Sequence, residues 1–160
     1  MTAGFPSRAW ARVAKLEIGD YLLCYLVDRK QWIGLLRVTG HPYSSADPPI
    51  WGIDLFPSRV SVEIIEELQE DNAVSATDLI QQIPRLKDAA DRHPGAWAGF
   101  LRGSPRRWPT GDAKVVINAL ERARSSPSNS LFMTMKVSFD RAVLAIYSRS
   151  CLAIFAASVE

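Results

Sequence analysis

Histidine and cysteine are scarce in this chain of 160 residues, which holds two of each. His41 and His93 form no pair with metal-ligand spacing, so no metal site is expected. Cys24 and Cys151 are too few for a disulfide framework. Cys24 also lies within an apolar run, where a thiol serves as a small buried hydrophobe. Glycine-rich phosphate loops and the GxSxG elbow are absent. Ser104 sits next to Pro105 without an evident base. The acidic group Glu63, Glu66, Glu67, Glu70 and Asp71 has the spacing of a solvated, partly helical face. A non-catalytic protein without cofactors is expected. The opening MTAGFPSRAW has no apolar signal core. The apolar run over residues 142–159 is interrupted by Ser148-Arg149-Ser150, which argues against a membrane span. The expected location is the cytoplasm. Internal repeats are also lacking.

Charge of one sign is not in great excess either, at a formal net +2. Its distribution is uneven. Through Trp97 there are 10 basic and 13 acidic residues; from Ala98 onward there are 9 basic and 4 acidic. A basic second half beside an acidic run gives a polar field suited to docking an anion on one side.

What is present is a chain of ordinary globular composition, 48% hydrophobic and 22% charged, long enough for one domain with a real core. Residues 7–16 predict a helix capped by Ser7, with Trp10, Val13, Ala14 and Leu16 on its apolar face. Residues 21–27 predict a strand buried on both faces. A charged turn, Asp28-Arg29-Lys30-Gln31, leads to a return strand over 32–38, which makes the two antiparallel neighbours. Gly34 within it marks a bulge or a close backbone approach. The loop over 41–55 contains Pro42, Pro48 and Pro49, which stiffen it so that Tyr43 and Trp51 can be presented at low entropy cost. Residues 56–64 alternate as a half-buried strand, with Val60, Val62 and Ile64 on one face. Short helices are predicted over 75–83, stopped by Pro84, and over 86–93. An amphipathic helix is predicted over 112–124. Residues 125–130 break the pattern, and residues 131–160 are β-prone.

Two features carry chemistry. Five tryptophans are many for this length. Trp32, Trp51, Trp97 and Trp108 stand beside turns or loops, where an indole face can stack on a base for roughly 1–3 kcal/mol. Trp51 is the leading candidate, Tyr43 an open one, and Trp97 and Phe100 read as core. Arg102-Gly103-Ser104-Pro105-Arg106-Arg107-Trp108 is a compact basic turn. Its glycine permits close approach, and its arginines can pair with phosphate in bidentate fashion. A solvated helix-end turn is the structural alternative.

The ordered segments GDYLLCYL, WIGLLRVTG, PYSSADPPIW and FPSRVSVE, followed by WAGFLRGSPRRW, resemble the EVE domain of the PUA-like superfamily, related to the YTH domains. The resemblance runs from about residue 4 to residue 124. It implies an α+β fold, a PUA-like mixed β-barrel flanked by helices, over residues 1–126, with 127–160 as a C-terminal extension of unknown role. It also implies an aromatic pocket for a modified base, of the methylated cytosine or adenine class, in DNA or RNA. Restriction or RNA-modification proteins would be its partners. By that resemblance Trp51 and Phe5 are pocket-wall residues, and Arg102 and Ser104 lie beside the pocket or along the nucleic-acid track. Family members begin with a strand of the type YWLF and a polar turn. This chain is expected to start after that point, at about the helix, with the tail segments AVLAIY and CLAIF as candidates to take the strand's place. Two alternatives stand beside the reader: an enzyme on the same scaffold, similar to ASCH domains acting on modified nucleosides, and a degenerate module with only a protein-interaction role. The first needs a positioned lysine, for which Lys15 and Lys30 are poorly placed.

Overall fold

The computed structural model describes residues 1–45, 56–102 and 105–125 in full, and residues 151–156 as backbone. In chain order the elements are Thr2–Phe5 (β1), a 3-10 turn Ser7–Ala9 running into Trp10–Val13 (α1), Tyr21–Leu26 (β2), Gln31–Val38 (β3), Tyr43–Ser44 (β4), Ser58–Glu67 (β5), Val74–Ser75 (β6), Ala76–Leu79 (α2), Pro84–Arg92 (α3), a 3-10 segment Ala96–Leu101, Arg107–Trp108 (β7), Thr110–Ser125 (α4) and Cys151–Ala156 (β8). The fold class is α+β. The strands form one sheet in the order β1-β5-β3-β2-β8-β7, with β4 added on β5 and β6 on β3. Every pairing is antiparallel except β7 with β8. Among the described strands the path is open, with β1 and β7 at its ends, rather than a closed barrel.

The β2–β3 hairpin is its centre, as the two apolar runs require. Successive residues of β2 serve opposite faces: Leu22 and Cys24 join one buried cluster, Leu23 and Tyr25 the other. The first cluster is closed by α1, through Ala9, Val13 and Leu16, and by Ala3, Phe5, Val60 and Val62. The second is closed by α2, α3, the 3-10 segment and α4, through residues such as Leu79, Leu86, Trp97 and Leu120. A strand covered on both faces needs no polar alternation, which is why YLLCYL and WIGLL read as continuous apolar runs. Gly34 is where the hairpin meets β5. A Cβ there would lie 2.8 Å from the Glu66 carbonyl oxygen, and the β3–β5 register shifts between Leu35 and Leu36. The glycine is thus a close approach next to a bulge.

Several local expectations are corrected. The chain does not start at the helix: Thr2–Phe5 pairs with Ser61 to Ser58 as an edge strand. In the first helix the inward residues are Ala9, Val13 and Leu16, while Trp10 is 39% exposed. Pro6, not Ser7, occupies the cap position, and no side chain caps the turn. The helical run Ala76–Gln82 ends just before Pro84, as expected, and Pro84 also starts α3, as its fixed φ and missing N–H allow at the first helical turn. Ile83 ahead of it is extended, as a residue before proline tends to be. Glu63, Glu66 and Glu67 continue β5 instead of forming a helical face. The tail contributes β8, which lies between β2 and β7; AVLAIY lies outside the described residues.

Candidate functional site

The N-terminal half of β5 is flanked on both edges. Arg59 faces Gly4 of β1 on one side and Tyr43 of β4 on the other; Ser58 faces Phe5 and Ser44 in the same way. Directly opposed residues in antiparallel strands share a face. Tyr43 and Arg59 are therefore neighbours on one face, and Phe5 and Ser58 on the opposite one. Arg59 is 2% exposed, with its Nε donating to the Phe56 carbonyl oxygen at 3.3 Å. Tyr43, beside it, is 39% exposed. Phe5 is 1% exposed and packs in the core with Ala3, Val13 and Val60. The Ser58 hydroxyl donates to the Pro6 carbonyl at 3.4 Å, and the Ser45 amide donates to the Pro57 carbonyl at 2.8 Å. These bonds tie Ser45 to Pro57 and the start of the first helical segment to β5 at one corner of the sheet, with the exposed Tyr43 paired beside the buried Arg59.

A second aromatic group lies under the helices. The Tyr25 and Trp32 ring centroids are 4.8 Å apart with tilted planes, and Trp32 meets Trp108 edge-on at 5.6 Å. All three are almost fully buried. The indole N–H groups of Trp32 and Trp108 have no hydrogen-bond partner among the described residues. Burial pushes the Tyr25 phenol up to about 12, against an opposing effect from the Arg102 guanidinium nearby. Arg102 therefore stands at the edge of this cluster. Arg106 and Arg107 are exposed beside it, on the approach to Trp108.

The structure thus separates the residues singled out by sequence. Tyr43, Arg102, Arg106 and Arg107 are at the surface, whereas Phe5 and Trp108 are interior. Trp51, Gly103 and Ser104 lie outside the described residues. Tyr43 sits at the β4–β5 corner and the arginines beside the Tyr25 cluster. Arg59 was missed, because an arginine in strand alternation reads as solvated; only the pairing of β5 on both edges buries it. The acidic run is engaged in ion pairs: Glu63 with Arg37, Glu66 with Arg124 at 3.4 Å and Glu70 with Arg29 at 2.9 Å. Among the described residues no group of three or more His, Cys, Asp or Glu is placed to hold a metal ion, and no helix is long and apolar enough to cross a membrane. No protein-family model matches the chain, and no curated protein matches it.

Proposed function

We propose that the protein is a PUA-like, EVE-type module that binds nucleic acid without catalysis and reads a modified base, of the methylated cytosine or adenine class, by stacking it between aromatic rings. The observation that carries this reading is Tyr43. It is a half-open phenol ring held on a short strand at the mouth of the 46–55 loop, against the buried Arg59. A ring fixed at the base of a proline-stiffened loop loses little entropy on stacking. Trp51, outside the described residues, is the second ring assigned to the base, and Phe5 supports the corner from beneath β5. Arg102, Arg106 and Arg107 are exposed cations able to meet phosphate. The setting is cytoplasmic, with restriction or RNA-modification proteins as partners.

The test is a tryptophan-fluorescence titration with short oligonucleotides, modified and unmodified, alongside Tyr43→Ala and Trp51→Ala. Tighter binding of a modified strand, lost in both variants, is the expected result. Equal affinity for all strands, unchanged by either substitution, refutes base reading.

A further inference from the structure

The exposed side of the first helical segment is cationic and aromatic. Residues 1–16 contain Arg8, Arg12 and Lys15 and not one carboxylate. All three cations are exposed. They follow one another at i, i+4 and i+7, the spacing of a single helical stripe. Arg12 and Lys15 form no ion pair among the described residues. Trp10, 39% exposed, stands on the same segment, and Ile18, 55% exposed, follows it. The inward stripe Ala9, Val13 and Leu16 is buried to within 3% and anchors the segment to the sheet. Trp10 stands two residues from both Arg8 and Arg12, and so on the other flank of the segment from the cations.

The Ser58 hydroxyl bond to the Pro6 carbonyl fixes the start of this segment at the β5 corner that also holds Ser44 and Tyr43. Ser58 and Tyr43 lie on opposite faces of β5, so the stripe and the Tyr43 ring flank this strand from opposite sides. From Arg8 to Lys15 the stripe runs roughly 10 Å at helical rise, about three of the ~3.4 Å axial steps between charges on one duplex strand. The Arg102–Arg107 turn does not share this position. It borders the Tyr25–Trp32–Trp108 cluster, whereas α1 packs on the opposite face of the sheet.

We propose that the outer face of residues 8–15 is the phosphate-backbone track of this protein, with Arg8, Arg12 and Lys15 pairing with phosphates along one strand. The proposal rests on the nucleic-acid reading above and assigns its backbone contacts to α1 rather than to the basic turn.

The test is fluorescence anisotropy with a labelled single-stranded DNA, unmodified or carrying 5-methylcytosine, over about 50 to 200 mM salt. The proteins compared are wild type, Arg12→Gln/Lys15→Gln, Arg106→Gln/Arg107→Gln and Tyr43→Ala. Each lost phosphate contact on a single strand lowers the slope of log affinity against log salt by about 0.7. The α1 double variant should therefore lose about 1.4 in slope and ~tenfold in affinity at the lowest salt. Both strands should be affected alike, with an unchanged melting temperature. Arg12→Lys should retain wild-type slope, and the turn variant should change it far less. Wild-type slope and affinity in the α1 double variant overturn the proposal, as does a wild-type protein that binds neither strand. Failure of base reading looks different: both strands bind equally and Tyr43→Ala is silent, while the α1 double variant still weakens binding.

Discussion

At the scale of single residues, Tyr25 gives the most direct prediction. Its phenol is pushed up to about 12 because burial disfavours the phenolate, and Arg102 offsets this only in part. A group whose pKa is higher in the fold than in the unfolded chain stabilises the fold fully below its unfolded pKa, here about 10. That contribution is lost as pH rises through the folded value. Absorbance at 295 nm should therefore show one tyrosine ionising about two units later than an ordinary phenol, and Tyr25→Phe should abolish that late step. Stability to urea should fall between about pH 10 and 12 in the wild type more than in the variant. Trp108 supplies a second test. Its indole N–H makes no hydrogen bond among the described residues, so Trp108→Phe forfeits packing but no polar partner found there. Trp108→Ala should cost about 3–5 kcal/mol, with Trp108→Phe well below it, in urea melts. The same residues show the limit of reading tryptophans locally. Trp32 and Trp108 stand beside turns in the sequence yet are core, because cross-strand pairing and β7 bring them together. Trp10 has the company of apolar residues yet is exposed, because three-residue pitch at the helix start turns Ala9 inward instead.

At the scale of elements, the β2–β3 hairpin was legible in the sequence because continuous apolar runs joined by a charged turn have one economical pairing. Gly34 was legible for the same local reason, and it yields a prediction. Gly34→Ala places a methyl 2.8 Å from a backbone oxygen, which no side-chain rotation relieves. It should destabilise by about 1–3 kcal/mol, the range for overpacking, whereas alanine at the solvent-facing Gly99, where a Cβ meets nothing within 4 Å, should be near neutral. The short strands were not legible. Two residues carry no period, so β4, β6 and β7 exist only through the partners that tertiary structure brings beside them. β1 hides for a related reason: TAGF has weak strand character, and its place is set by the Ser58–Ser61 edge. β8 was visible only as β propensity in CLAIF. Its registry, Cys24 opposite Ala153 and Leu22 opposite Phe155, makes an exchange prediction. Backbone amides of residues 152–155 should be protected together with those of β2, and unprotected amides there would remove β8 from the sheet.

For the whole molecule, the candidate site was partly legible. Tyr43 stood out because an aromatic residue in a proline-bearing stretch is a local signal, while Trp51 lies outside the described residues. The burial of Arg59 did not stand out, because it depends on two strands meeting β5 from regions far apart in sequence. The same long-range logic governs stability. One sheet separates two clusters, and β2 and β3 contribute side chains to both. Neither cluster can lose its sheet face without the other losing its own, so the fold should unfold in one step, with fluorescence and far-UV circular dichroism giving coincident urea transitions. Small lesions on opposite faces should nevertheless add, since the altered side chains share no contact. Val13, the last residue of α1, and Ile83, just before α3, are both fully buried, in different clusters. Val13→Ala should cost about 2 kcal/mol from its lost methyls, and Ile83→Val about 1 kcal/mol. The double variant should cost their sum to within about 0.5 kcal/mol, with an unchanged urea slope. A biphasic melt in either single variant would mean that the clusters fold independently. A double-variant cost departing from the sum by about 1 kcal/mol or more would mean that strain passes through the sheet from one face to the other, as expected if the β2 and β3 bulges, and not only the strands between them, set its shape.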